Sequence, residues 1–312
     1  MLTVLGEALI DLVDAGDHRR FTAHPGGSPL NVAVGLARLG HPTSMLARLA
    51  TDGFGQLLRQ HALASGVILD SAPTASEPTT LAVASLDDAG RADYAFYING
   101  TADWQWTAPE LILPADSEVL HFGSLASWLP PGDALIAEFA ARAGRGALVS
   151  YDPNVRPRLL GEPRRARALV ERNIATAHLV KASDEDARWL YPGDSLEVVA
   201  RRWLGLGPAL VVLTLGPDGA TAYRDGCEPL PRPAPQAAVV DTVGAGDAFT
   251  SGLLGALSDR GVGVPELAEV ADSQLVEVID EAGLVAALTC EQAGAFPPTR
   301  AELRARQLAA RP

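Results

Sequence analysis

Short, largely apolar runs recur along the chain at intervals that each leave room for one helix, and this rhythm constrains the fold more than any other feature. TVLGE (3–7), SMLARL (44–49), EVLHFG (118–123), ALVSYD (147–152), AHLVKAS (177–183) and ALVVLTLG (209–216) are rich in Val and Leu. Most lack the alternation of a strand with one wet face, and so read as strands of a parallel sheet covered on both sides. Helical patterns fill the intervals near 29–39, 53–65, 132–143, 163–175, 194–204, 246–259 and 282–292. Strand and helix in turn predict an α/β fold, a doubly wound, mainly parallel sheet with helices on both faces. Two stretches, about 9–23 and 79–98, break the rhythm. Strand-like runs there join through turns at DAGD (14–17) and DDAG (87–90), with no helix between them. They predict a small β-sheet lid beside the main sheet, with YAFYI (94–98) presenting aromatic side chains to a cleft. LPRPAPQ (230–236) reads as a connector, and residues 1–312 read as a single domain.

Composition narrows what such a sheet can serve. The balance of 25 Lys+Arg against 38 Asp+Glu leaves a net charge of −13. No basic patch dominates, so nucleic acid is not expected as a partner. The sole lysine, Lys181, does not follow a G-x-x-x-x-G loop, which excludes an ordinary P-loop nucleotide site. Two cysteines, Cys227 and Cys290, are too few for a disulfide framework and lack metal-ligand spacing. No apolar stretch nears the ~18 residues of a membrane span, and no basic, cleavable leader opens the chain. The expectation is a soluble, cytoplasmic protein without membrane contact.

DTVGAGDAF (241–249) carries the most chemistry. It follows a strand-like run, AAVV (237–240), and opens a helix. Gly244, Ala245 and Gly246 can bring backbone N–H groups to an anion at the helix N-terminus, where unpaired donors and the dipole favour negative charge. Asp247 falls in the first helical turn, where the dipole keeps its carboxylate ionised, as a general base for a hydroxyl nucleophile requires. Phosphoryl transfer needs little else beyond in-line positioning and charge stabilisation. Alone, this stretch also fits an ordinary strand-to-helix turn with an Asp cap. In GGSPLNVAVGLARLG (26–40), Gly26 and Gly27 permit close backbone approach to a ligand, and Asn31 offers a donor and an acceptor to hydroxyls. An amphipathic helix ending at Gly40 follows.

Together these two stretches resemble the paired signatures of the PfkB, or ribokinase-like, carbohydrate kinase family. The resemblance continues through TDGFG (51–55), TTLAVASLDDAGRADYAFY (79–97), LHFGSLA (120–126), YDPNVR (151–156), KASDED (181–186) and TLGPDGA (214–220). It implies a ribokinase-like fold and transfer of the γ-phosphoryl group of ATP to a sugar hydroxyl. Asp247 then corresponds to the catalytic base and Gly244–Gly246 to the anion hole. Asp11, Gly26, Gly27, Asn31, Phe96, Asn154 and Arg156 match positions around the sugar. Thr214, Gly216 and Gly219 resemble the nucleotide-phosphate turn, and Ala287 and Cys290 the adenine wall. Asp241 and the carbonyl of Val243 match part of a monovalent-cation site, implying K⁺. The family's lid-to-lid pairing implies a homodimer.

Two departures shape the reading. Where the family often carries N-x-x-E near Mg²⁺-bound phosphates, this chain has Ser183 and Asp186. K-x-S spacing with Lys181 resembles the fructokinase-like subgroup, and the shorter Asp186, or neighbouring Glu185, would then reach Mg²⁺ through water. In relatives acting on 2-keto-3-deoxygluconate an Arg often follows the lid aromatics, whereas Ile98 follows Phe96 and Tyr97 here. The resemblance therefore favours a neutral sugar, fructose first. A 2-keto-3-deoxygluconate kinase, another sugar or nucleoside kinase, and a non-catalytic sugar sensor are the alternatives. His121 is expected at a strand end near the cleft, without a catalytic role. Trp104 and Trp106 are expected in the core.

Overall fold

The structure, a computed structural model, describes residues 1–16, 19–86 and 92–309. The turn expected at 87–90, and Asp17 of the turn at 14–17, lie outside these residues. Among the described residues the strands are β1 (Leu2–Leu5), β2 (Leu9–Asp14), β3 (Phe21–Gly26), β4 (Thr43–Leu46), β5 (Leu49–Ala50), β6 (Thr74–Ala75) and β7 (Leu81–Leu86). They continue as β8 (Ala92–Tyr97), β9 (Val119–Gly123), β10 (Leu148–Asp152), β11 (Leu179–Ser183), β12 (Leu210–Thr214), β13 (Ala220–Tyr223) and β14 (Leu230–Arg232).

The main sheet runs β14-β13-β12-β11-β10-β9-β1-β4. The strands from β4 to β12 pair in parallel, and β13 and β14 add an antiparallel edge. This is the predicted doubly wound α/β architecture. All five residues of β9 and of β10 are buried, as continuous apolar runs require. One face carries Phe122, Tyr151, Tyr191, Trp203, Trp104 and Trp106, with the Phe122 and Tyr151 rings 4.8 Å apart. The other carries Val4, Met45, Leu30, Phe249, Leu253 and Val278. Helices Ser28–Arg38, Ala245–Asp259 and Asp272–Cys290 pack on that second face. A Cβ on Gly252 would lie 2.8 Å from the Ala282 backbone, so glycine lets the last two helices close together.

The small sheet runs β3-β2-β7-β8, in the two stretches expected to form it. It grows directly from the end of β1 and returns through Gly26 into helix Ser28–Arg38. Because β4 and β9 flank β1 on opposite sides, the strand order reverses at β1. A ligand crevice is expected outside the carboxyl ends of strands at such a point.

Several expectations need correction. AAVV (237–240) is not a strand; Val239 and Val240 are exposed, and the Val240 N–H donates to the Cys290 carbonyl (2.8 Å). The run expected as a connector begins as β14. The helix expected at 282–292 starts ten residues earlier, at Asp272. Its first half, DSQLVEVIDE, is too polar to announce a buried helix. His121 lies within β9, buried, with Nδ1 3.1 Å from Ser150 Oγ. Burial lowers its pKa to about 4, which keeps it neutral.

Candidate active site

The centre of the cleft forms where helix Ala245–Asp259 points its N-terminus at the turn before helix Ser28–Arg38. Gly244 caps the former with φ 76°, a left-handed conformation, and a Cβ there would sit 2.5 Å from Ala295 Cβ. Only glycine meets both conditions. Asp247 follows in the first turn. Its Oδ1 accepts from Ser28 Oγ (2.6 Å) and its Oδ2 from Asn31 Nδ2 (2.8 Å). Removal from water raises its pKa above the ordinary carboxylate value, against lowering by Ser28, Asn31 and Lys181. A carboxylate so poised is a stronger proton acceptor than a free one.

Lys181 rises from β11 beneath this helix, buried, with Nζ 2.9 Å from Asp152 Oδ2. A Cβ on Gly246 would lie 3.2 Å from that ammonium, so the lysine abuts the glycine turn. Burial works against its charge, but the attraction and hydrogen bond of Asp152, aided by Asp247 and Asp186, raise its pKa. Asp152 also accepts from the Asn154 N–H (3.1 Å). Three carboxylates, Asp152, Asp186 and Asp247, thus share one buried ammonium.

Asp186 is held from two sides. Its Oδ2 accepts from the Ser183 N–H (3.1 Å), and its own N–H donates to Ser183 Oγ (3.0 Å), a capping box that opens helix Asp184–Leu190. Its Oδ1 accepts from the Val155 N–H (2.9 Å). Burial and Asp152 raise its pKa. Ser183 therefore serves as a cap. Glu185 is exposed on the same turn. Among the described residues no group of three or more His, Cys, Asp or Glu forms a metal cage. The excess of buried carboxylate over ammonium still fits a cation carried in with phosphates, since Mg²⁺ keeps several waters and takes few protein carboxylates.

The small sheet contributes Asp11, facing Gly26. A Cβ on Gly26 would lie 2.1 Å from Asp11 Oδ2, so glycine leaves space for that carboxylate. Gly27, at φ 105°, approaches the Glu7 carbonyl as no other residue could. Burial raises the Asp11 pKa to about 6; His24 and Arg156 act to lower it and Asp247 to raise it. Arg156 is tethered, its Nη1 donating to Asn154 Oδ1 (2.7 Å), while Asn154 takes φ 40° and its Nδ2 donates to Ser124 Oγ (3.2 Å). Phe96 packs partly buried against the aromatic core.

A second group assembles further along the same edge. Ser183 and Thr214 are register partners, and Gly216 and Gly219 turn β12 into β13 at φ 55° and 100°. A Cβ on Gly219 would lie 2.0 Å from the Arg232 carbonyl. Cys290 anchors the chain entering the glycine turn through its carbonyl, and Ala287 is buried one turn earlier. Asp241 accepts from the Val243 N–H (3.0 Å) and the Gly294 N–H (2.8 Å), bonds that hold its pKa low.

Sequence reasoning missed Ser28 and Asp152, which hold Asp247 and Lys181. Their signals were a hydroxyl residue directly after the Gly26–Gly27 pair and an Asp at a strand's carboxyl end. It also missed Glu7 and Asp103. Buried Glu7 accepts from the Ala126 N–H (3.1 Å) and buried Asp103 from the Ala8 N–H (3.0 Å), fixing the joint between β1 and β2.

Residues 1–301 match the model of the pfkB family carbohydrate kinases. The chain belongs to this family. This pfkB kinase is a phosphotransferase with a ribokinase-like fold. It is 35% identical over 261 residues to a fructokinase of Rhizobium leguminosarum bv. trifolii, covering 82% of this chain and 79% of the relative. A fructokinase of Xylella fastidiosa with bound ATP superposes with TM-score 0.91 at 26% identity, covering 99% of this chain and 98% of that one. A double mutant of the Vibrio cholerae O395 fructokinase, with fructose, ADP and potassium bound, superposes with TM-score 0.85 at 28% identity, covering 97% of each chain.

Proposed function

We propose that this pfkB kinase transfers the γ-phosphoryl group of ATP to a hydroxyl of fructose, with Asp247 as general base. The observation that carries the reading is the Asp247 carboxylate, fixed by Ser28 and Asn31 at the mouth of a helix and raised in pKa by its surroundings. The acceptor hydroxyl donates to Asp247, which takes its proton as the oxygen attacks the γ-phosphorus in line. The bond to the β-phosphate oxygen breaks and ADP leaves with its electrons. The Gly244 and Gly246 N–H groups face the charge spreading over the phosphoryl oxygens, whereas the Ala245 N–H donates to the Thr242 carbonyl (3.2 Å) and serves the turn instead.

Asp11, Gly26, Gly27, Asn31, Phe96, Asn154 and Arg156 hold the sugar; Lys181, Thr214, Gly216, Gly219, Ala287 and Cys290 border the nucleotide. Mg²⁺ would neutralise β- and γ-phosphate charge when bound, with Asp186 and Glu185 contacting its waters. Asp241 and the Val243 carbonyl form the K⁺ site in this reading, which the potassium-bound relative supports. The 312 residues act as one domain in the cytoplasm, and among the described residues no helix is long and apolar enough to cross a membrane. Phe21 and Tyr97 are exposed on the small-sheet face opposite Asp11, which supports homodimerisation through the lid.

A coupled ADP-release assay over fructose, ribose, 2-keto-3-deoxygluconate and nucleosides tests the proposal. Fructose should give the highest kcat/KM. No stimulation by any acceptor would overturn the kinase mechanism.

A further inference from the structure

The four-stranded sheet carries one line of side chains across its whole width. The register pairs His24 on β3 with Asp11 on β2, Asp11 with Ala82 on β7, and Ala82 with Phe96 on β8. Directly opposed residues share a face of a sheet, with Cβ atoms about 4.5–5.5 Å apart in antiparallel pairs. Asp11 Oδ2 lies against Gly26 on this face, and two residues further on Ser28 donates to Asp247 (2.6 Å), so this face looks onto the reaction centre.

We propose that His24 is a further specificity-determining residue, holding the acceptor sugar by a hydroxyl next to those taken by Asp11. The inference rests on the sugar-kinase reading and deepens it. His24 is exposed at the outer end of the line, and among the described residues its ring makes no hydrogen bond. It stands directly opposite Asp11 across the β2–β3 ladder. A neutral imidazole offers one donor and one acceptor, the same pair a hydroxyl offers in return. The line divides into a polar half, His24 and Asp11, and an apolar half, Ala82 and Phe96. A sugar is divided alike, with hydroxyls along its edge and C–H bonds on its face. Laid across this line, it sets its hydroxyl edge over His24 and Asp11 and its C–H face on Phe96. None of the bonds that hold Asp247 involves His24, so its loss should weaken sugar capture without altering proton transfer.

The test is steady-state kinetics of the full chain and of His24→Ala and His24→Gln, at saturating MgATP, with fructose and its 1-, 3- and 4-deoxy analogues. Loss of one hydrogen bond predicts a fructose KM raised about tenfold in His24→Ala, with kcat and the MgATP KM unchanged. His24→Gln, which can still donate and accept, should recover most of that loss. For one deoxy analogue the wild type and His24→Ala should have equal KM, because the hydroxyl held by His24 is missing. Three results would overturn the proposal: a KM within about twofold of wild type in both variants, a fall in kcat parallel to the rise in KM, or an equal penalty on every analogue. A wild type that prefers a different sugar would overturn the fructose assignment instead, and the same KM ratio on that sugar would then decide His24.

Discussion

The two walls of the cleft are held in different ways. On the body wall each buried or half-buried charged side chain is fixed by others: Asp247 by Ser28 and Asn31, Lys181 by Asp152, and Asp186 by three backbone and side-chain bonds. On the lid wall Asp11 and His24 make no side-chain hydrogen bond among the described residues and are placed by the strand ladder alone. Fixed dipoles and bases lower a barrier only when they need no reorganisation as charge develops. Recognition of an acceptor, by contrast, needs polar groups left free to be satisfied by it. In the proposed mechanism the body wall therefore does the chemistry and the lid wall chooses the sugar.

The largest effect expected from breaking the body wall is on stability. Lys181→Met would leave Asp152 buried beside two other carboxylates, and orphaning one member of a buried pair typically costs about 3–5 kcal/mol. The denaturation midpoint should fall accordingly, and the double variant Lys181→Met/Asp152→Leu should regain much of the loss. An unchanged midpoint for the single variant would show that the pair does not organise this wall.

A smaller effect is expected on the lid, from pH. Burial, reinforced by Asp247, raises the Asp11 pKa to about 6. The hydroxyl-accepting carboxylate exists above that value, so sugar kcat/KM should fall as pH drops through about 6. The stability term has the opposite sign. A raised pKa means the folded chain binds this proton more tightly than the unfolded one. That contribution is complete below the unfolded value near 3.8 and is lost as pH rises through about 6. Asp11→Asn should flatten the kinetic limb, and a limb that persists would assign it to a different group.

The smallest effect should come from the lid's chemistry of choice. Ile98→Arg adds a cation at this position and should raise activity toward 2-keto-3-deoxygluconate relative to fructose, with a lowered Tm because Ile98 packs partly buried against the aromatic core. A wild type that already prefers the acidic sugar would undo the argument from Ile98.

Much of this division was legible in the residues before any coordinates. Apolar runs covered on both faces marked the parallel strands, and missing helices marked the small sheet. The local glycine-rich stretches placed Asp247, Gly244 and Asn31. What stayed hidden depended on distance in the chain or on patterns shared by two structures. Ser28 meets Asp247 across 219 positions, and no local spacing reports that. AAVV reads like a buried strand, yet Val239 and Val240 face solvent beside the glycine turn. The capping box that Asp186 closes with Ser183 was also not anticipated, and its shorter side chain suits that box.

The central claim, that the body wall does the chemistry, is tested most directly at Asp247. Asp247→Asn keeps the size and hydrogen bonding of the side chain but cannot accept a proton. Measured together on one folded preparation, kcat should fall by about 10²–10⁴-fold while fructose KM changes far less. Asn caps helices about as well as Asp. A variant that keeps most of its turnover at saturating fructose and MgATP would therefore reduce Asp247 to a helix cap and contradict the mechanism.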